Sequence, residues 1–381
     1  MASILHVVNT YFAVPYFIGE QFLYFMDKGH ELHLICPESE FLEQYSLDMK
    51  FKYKTVEITR TYTLFKDIKA LFIIYGYIKS NKIEIVVGHT PKGALLAMFA
   101  GWLRKTPVRI YFRHGLVYET RRGLARRILI MAERISAYFS TLIICVSPSI
   151  ARVSLRDNLN PSGKQTILGR GTCGGIDTRK IFNPGVIRQK DLMVLKEQYK
   201  ISAGDVVIGF CGRIVPDKGI IELIDSLDIL RSRNPGIRFI IMLVGILENR
   251  DRLPKPTLDK MKYDRDIILT GYVRENINYF YSMMNIYVLP SFREGFGMSV
   301  IEASAMEIPV LTTRATGCVD AIVENVTGRY ILNNPQSIAE GIEFYVKNPE
   351  SALSAGKAGR EFVRQNFDNL MLWMELENYY R

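Results

Sequence analysis

Short continuous runs of Val, Ile and Leu recur along this chain, separated by amphipathic stretches, and no other feature limits its fold so sharply. The runs are Ile4–Val8, Glu31–Cys36, Ile83–Gly88, Val108–Phe112, Leu142–Val146, Val206–Phe210, Phe239–Val244, Ile267–Leu269, Ile286–Leu289 and Val310–Thr313. Several are apolar throughout rather than alternating, the pattern of parallel strands covered on both faces. Between them, Arg122–Ser140 and Lys218–Asn234 carry helical periodicity. A β-α-β rhythm predicts parallel sheets with helices on both faces, an α/β fold. One open sheet seldom holds so many strands, so this chain of 381 residues is expected to form two doubly wound, Rossmann-like domains. The break falls near Gly174–Ile201: Gly174-Gly-Ile-Asp177 reads as a turn, and Asn183-Pro-Gly185 interrupts the pattern before Val206 opens a new strand. The expected segments are 1–178, 200–360 and a helical tail at 361–381 that carries Leu370, Trp373, Tyr379 and Tyr380.

Charge is unevenly spread. The net is +10, and residues 1–178 hold 23 Lys+Arg against 14 Asp+Glu, whereas the remainder is nearly balanced. The excess is densest at Arg104–Arg134, where Arg121, Arg122, Arg126 and Arg127 lie close together. Such a run is either a solvated helix face or a surface attracted to an anionic membrane or an anionic acceptor. No recognised nucleic-acid module accompanies it, so a nucleic acid partner is not expected. The five cysteines are scattered without metal-ligand spacing and read as reduced thiols of a cytoplasmic protein. The N-terminus opens on a strand pattern rather than a basic and apolar leader, and apolar runs such as 239–247 and 94–103 are too short to span a bilayer. The expected location is cytoplasmic, peripheral on the inner face of the cell membrane.

Two carboxylates point to the chemistry. In Ser291-Phe-Arg-Glu294-Gly-Phe-Gly-Met-Ser-Val-Ile-Glu302, a strand-to-helix loop places Glu294 before a helix and Glu302 about one turn into it. A helix N-terminus with open amides attracts anions, phosphate above all. Gly297 permits close backbone approach, and the amides of Met298 and Ser299 become candidate phosphate donors. Glu294 can accept from sugar hydroxyls and Glu302 from the vicinal hydroxyls of a ribose. The same half carries Gly212-Arg213 and Lys218-Gly219 after a strand, a guanidinium and an ammonium suited to a diphosphate. Tyr272-Val273 ends another strand, a place for a nucleotide base to stack or bond. In the first half His114-Gly115 follows a strand and His89 follows another; His114 suits a contact to a donor sugar and His89 an acceptor-side role, whereas His6, His30 and His33 read as structural. Asp264-Arg-Asp266 reads as a charged loop and not a metal site, and no metal site is expected elsewhere.

Taken together, Gly212-Arg213, Lys218-Gly219, Gly271-Tyr-Val273 and the Glu294-X7-Glu302 run resemble the retaining glycosyltransferases of family four. The likeness is strong over about 206–330 and looser before it, through Gly29-His-Glu31, His89, His114-Gly115 and Gly175-Ile-Asp177. It implies the GT-B fold, two doubly wound domains facing across a cleft, with the C-terminal tail returning toward the N-terminal, acceptor-side domain. It also implies a nucleoside diphosphate sugar donor, by family habit a UDP-sugar, and no cofactor beyond it. Arg213 and Lys218 would hold the diphosphate, Glu294 the sugar, Glu302 the ribose, and His114 the sugar from the opposite lip. One departure stands out. Many relatives carry a Gly-Gly pair after the first strand; here the loop is Asn9-Thr-Tyr-Phe-Ala-Val-Pro-Tyr-Phe-Ile-Gly19, which leaves Gly19 as its one glycine near the donor phosphate. Its aromatics suit a lipid-linked acceptor, and relatives with runs similar to Arg293-Glu294-Gly-Phe-Gly297 often build capsule or O-antigen chains on polyprenyl diphosphate. The resemblance therefore implies a retaining, metal-independent hexosyltransferase. A nucleotide-sugar epimerase of the same fold and a non-catalytic nucleotide-binding scaffold are the alternatives.

Overall fold

A computed structural model describes residues 1–11, 13–59, 63–248, 251–273 and 275–380. The chain divides into two compact units, Met1–Gly175 with Asn369–Arg381, and Ile176–Asp368. The first holds β1 (Ser3–Val7), β2 (Glu31–Cys36), β3 (Lys52–Thr55), β4 (Ile85–Gly88), β5 (Val108–Arg113), β6 (Leu142–Cys145) and β7 (Gln165–Thr166). Their order across the sheet is β3-β2-β1-β4-β5-β6-β7. The second holds β8 (Val206–Cys211), β9 (Phe239–Val244), β10 (Ile267–Gly271), β11 (Ile286–Leu289), β12 (Val310–Thr313) and β13 (Gly328–Ile331), in the order β10-β9-β8-β11-β12-β13. Every strand pair is parallel. Both units are doubly wound, as the apolar runs predict.

Those runs are the central strands. All six residues of β9, Phe-Ile-Ile-Met-Leu-Val, are buried, because helices cover both of its faces. The strands without an apolar signal, β3, β7 and β13, lie at sheet edges. Lys-Tyr-Lys-Thr of β3 is exposed along its whole length, and lysines at an edge discourage pairing with another chain. Two helices start where a short polar side chain meets the backbone. Ser147 accepts from the Ile150 amide at 3.2 Å, and Asn334 accepts from the Ser337 amide at 2.8 Å, each with Pro next in the chain.

The tail joins the first unit. Tyr24 donates its hydroxyl to Glu377 at 3.2 Å, the Gly169 amide donates to Glu375 at 2.7 Å, and Tyr380 packs on Phe25 with ring centroids 4.8 Å apart. The boundary expected at 360/361 falls inside the continuous helix Pro349–Asn366, and the chain passes to the first unit only at Asn369. Among the described residues no helix is long and apolar enough to cross a membrane.

Candidate active site

In the second unit β8 lies between β9 and β11, so the connections leaving β8 and β11 run to opposite sides. A crevice opens at such a switch point, outside the carboxyl ends of the strands, and ligands of doubly wound sheets bind there. Here the loops after β8 and β11 are tied together. The Phe292 amide donates to the Asp217 carbonyl at 3.0 Å, and Arg293 pairs with the Asp217 carboxylate at 3.2 Å. Lys218 forms an ion pair with Glu294, both largely covered. The Ser291 hydroxyl donates to the same carboxylate oxygen, Oε1, at 2.8 Å. Gly219 makes the crossing possible: its φ is +72°, and a Cβ there would lie 2.1 Å from the Pro290 carbonyl oxygen. The loop after β12 closes the third side, where the Glu294 amide donates to the Thr316 carbonyl at 2.9 Å.

Glu302 lies on the helix Met298–Ala305, half-buried. Tyr281 donates its hydroxyl to Oε2 at 2.6 Å. Burial nevertheless outweighs that bond and pushes the carboxyl up to about 7. At the start of the helix the Met298 amide is already given to the Phe296 carbonyl at 2.7 Å, which corrects its expected role as an open donor. Among the described residues the Ser299 amide has no such partner. Arg213 is exposed and pairs with Glu248 at 3.1 Å. Tyr272 and Val273 follow β10, two strands from β8. The ends of β8 and β9 are drawn close by Gly212 and Gly245, both at φ +148°.

In the first unit, Gly19 ends the short helix Ala13–Phe17 at φ +55° and gives its amide to the Val14 carbonyl at 3.0 Å, so its place is in a turn rather than as an open amide. Phe12 of the same loop lies outside the described residues. Of the aromatics in that loop, Phe17 stacks on the His114 ring, centroids 3.6 Å apart and planes 10° apart. His114 is half-buried, and its Nε2 shares a hydrogen bond with Nδ1 of His89 at 2.8 Å. His89 in turn meets Nδ1 of His6 at 3.0 Å. With His89 buried to 1% exposure, it is not placed for the acceptor-side contact that the sequence suggested. Burial holds His6 and His114 down to about 3.

Residues 194–362 match the family Glycosyl transferases group 1, and residues 19–171 match Glycosyltransferase Family 4. The capsular polysaccharide biosynthesis glycosyltransferase CapM of Staphylococcus aureus is 32% identical over 99% of this chain and 96% of its own length. This chain belongs to glycosyltransferase family 4. A further relative of this family 4 enzyme is the UDP-Gal:alpha-D-GlcNAc-diphosphoundecaprenol alpha-1,3-galactosyltransferase of Escherichia coli, 23% identical over 78% of this chain and 75% of that one. Among solved structures, HepE of Anabaena in complex with UDP and glucose superposes with a TM-score of 0.81 at 15% identity, over 99% of both chains. The two units of the family 4 chain are therefore those of the GT-B fold.

Several residues of this glycosyltransferase's site were not legible in its sequence. Ser291 and Tyr281 hold the two glutamates, and Glu248 holds Arg213. Ser291 lies in the quoted motif, but Tyr281 belongs to an apolar helix, Ile277–Ser282, where a core role is the ordinary reading. Asp264 and Asp266 bind Arg231, at 2.6 and 2.7 Å, and Asp266 also binds Arg238 at 2.8 Å, so both carboxylates are engaged in ion pairs.

Proposed function

We propose that this glycosyltransferase moves a hexose from a UDP-sugar to a hydroxyl of a polyprenyl-diphosphate-linked glycan, with retention of anomeric configuration and without a bound metal or other cofactor. The observation that carries the reading is the Lys218–Glu294 couple at the switch point, beside the start of the helix Met298–Ala305. A diphosphate placed there meets the Lys218 ammonium, the Arg213 guanidinium and the open Ser299 amide. Once Lys218 turns to the phosphate, Glu294 is released to accept from sugar hydroxyls, and Glu302 takes those of the ribose. Tyr272 and Val273 border the base, and His114 contacts the sugar. The glycosyl–phosphate bond then breaks through an oxocarbenium-like state, and its electron pair leaves with the diphosphate. Fixed cations and amides stabilise that charge as it forms. The departing phosphate oxygen takes the proton of the acceptor hydroxyl on the same face, where the new glycosidic bond also forms, so configuration is kept.

The names of the relatives support the acceptor class. CapM is described as building capsular polysaccharide, and the Escherichia coli enzyme transfers to a diphosphoundecaprenol-linked sugar. Capsule or O-antigen assembly at the inner face of the cell membrane follows from the same reading. The first unit offers a surface for it. Helices Leu64–Ser80 and Gly123–Phe139 both pack on Pro91–Leu103. They leave Phe65, Phe72, Leu124 and Tyr138 exposed, with Arg121, Arg122 and Arg127 exposed in the same region. Exposed apolar side chains on these helices, together with the exposed arginines, suit an anionic bilayer. Flotation with anionic vesicles is expected to weaken as salt rises and to be lost in a Phe65→Ser/Phe72→Ser variant.

The deciding experiment is a thermal-shift panel of nucleotide sugars, followed by transfer to a synthetic polyprenyl-diphosphate sugar with the product anomer read by NMR. Stabilisation by UDP and its sugars, and a product of the donor's own configuration formed in the presence of chelator, are expected. Unchanged transfer by both Lys218→Ala and Glu302→Ala would refute the site.

A further inference from the structure

His6 lies within β1, and His89 and His114 follow β4 and β5. These strands are neighbours in the order β1-β4-β5, so three imidazoles far apart in the chain stand in a row. The contacts are Nδ1 of His6 to Nε2 of His89, 3.0 Å, and Nδ1 of His89 to Nε2 of His114, 2.8 Å. Aromatic rings wall the row: Phe22 meets His6 edge-on at 5.3 Å, Phe112 lies parallel to His89 at 5.2 Å, and Phe17 covers His114. His6 is fully buried, and among the described residues its outer nitrogen, Nε2, has no hydrogen-bond partner. His114, at the other end, is the half-buried member.

A neutral imidazole has one N–H and one bare nitrogen. Each nitrogen-to-nitrogen contact needs one proton between its atoms; two would clash and none would set lone pairs against each other. Three neutral rings in a row satisfy both contacts in only two ways, with every proton on Nδ1 or every proton on Nε2. The second arrangement leaves an N–H on the buried Nε2 of His6 with nothing to receive it. Orphaned N–H groups are rarer in native interiors than under-satisfied acceptors, because a buried donor without a partner is desolvated with nothing in return. The first arrangement leaves only a bare nitrogen there, and it ends on an N–H at Nδ1 of His114. We propose that His6 and His89 are positioning residues that lock His114 in the Nδ1–H tautomer, so that the open edge of its ring is a hydrogen-bond donor. Resting on the reading that His114 contacts the donor sugar, this makes the recognised sugar atom an acceptor, a hydroxyl or ring oxygen. Burial keeps the rings neutral, which preserves the lock.

The test is NMR of the full chain labelled with ¹⁵N-histidine, near neutral pH and without ligand. The ring-nitrogen shifts and couplings report the tautomer of each assigned histidine. The wild type is expected to show Nδ1–H at all three rings. His6→Leu, which removes the buried end and keeps the His89–His114 contact, is expected to release both remaining rings into a mixture of tautomers. His89→Phe, which cuts the row in the middle, is expected to release both His6 and His114. An Nε2–H tautomer at His114 in the wild type, measurable even if neither variant folds, overturns the proposal, as does a His114 tautomer unmoved in a folded His6→Leu protein. The donor contact is tested separately. His114→Asn places an amide N–H near the Nδ1 position and is expected to retain about tenfold more kcat/KM than His114→Gln, whose amide matches Nε2. Equal loss in the two, with the tautomers as expected, would remove His114 from the sugar and leave the locked row standing.

Discussion

The second unit lines the carboxyl ends of its central strands with paired charges, whereas the first lines the ends of its own with neutral imidazoles. Lys218 and Glu294 form an ion pair, with Ser291 adding a hydrogen bond. Among the described residues no carboxylate offsets the burial of His6 and His89, and desolvation leaves them uncharged. One architecture thus supports two ways of meeting a ligand. In the proposed reading, a diphosphate is gripped by charge that trades one partner for another, and a sugar is read by a single fixed N–H whose direction depends on the rings behind it. The comparison predicts that the second unit is sensitive to the loss of charge and the first to the loss of hydrogen-bond geometry.

The largest effect is expected at Lys218. Lys218→Ala should lower kcat about 10²–10³-fold, the usual cost of removing one preorganised donor from a developing anion, and should abolish most of the UDP-induced thermal shift. Lys218→Arg should recover part of both. A loss of less than about threefold in steady-state transfer assays would make the pair a structural tie, and the contrast between the units would fall. Next comes the close approach of the strand ends that carry this charge. At Gly245, φ is +148°, and a Cβ would lie 1.9 Å from the Gly212 carbonyl oxygen. Gly245→Ala is expected to cost about 3 kcal/mol in urea unfolding, from backbone strain and displacement of the loop bearing Arg213. A cost under about 0.5 kcal/mol would mean that the loop has slack and Arg213 is not held in place.

The two regions also differ in how far their sequence discloses them. Central strands were legible because burial on both faces demands unbroken apolar runs, and Phe239–Val244 shows it fully. Edge strands were not, because Lys52–Thr55 is exposed and has no such demand. Glu294 and Glu302 stood out because a short loop and one helix place both, so sequence spacing is nearly spatial spacing. That Lys218 and Glu294 hold each other was hidden, since 76 residues separate them. Likewise His6 read as structural: inside a strand it looks like any core residue, and only the register of β1 beside β4 turns it toward His89. Met298 failed as an open amide for a local reason, a tight turn back to Phe296 that residue types alone do not announce.

A smaller effect separates the carboxylates of the second unit. Glu302 sits well above the ordinary carboxylate range, at about 7, because burial outweighs the Tyr281 bond. Below that pH it is protonated in the resting protein, whereas vicinal hydroxyls are best received by a carboxylate. UDP affinity should therefore rise about tenfold between pH 6 and 8, with uptake of UDP releasing a proton, and Glu302→Gln should bind with a flat pH profile. Calorimetry in buffers of different ionisation enthalpy reads both. A wild-type profile as flat as that of the variant would show Glu302 away from the ribose.

The last effect, slight for each step of pH, belongs to the first unit. His6 has an ordinary value of 6.5 and is lowered to about 3 by burial. As pH falls below 6.5 the unfolded chain takes this proton first and the folded chain refuses it. The stability that neutral His6 carries is thus present in full above 6.5 and is lost as pH falls toward 3, at about 1.4 kcal/mol per pH unit. His89 and His114 add slopes of the same sign, so the comparison must be with a chain lacking His6 alone. Urea unfolding of wild type and His6→Leu at several pH values between about 7 and 5 isolates the term: the wild type should lose stability more steeply, by about 1.4 kcal/mol per unit below pH 6.5. Parallel slopes would mean that folded His6 accepts the proton. The row of rings would then carry charge, as the strand ends of the second unit do, and could not hold one tautomer.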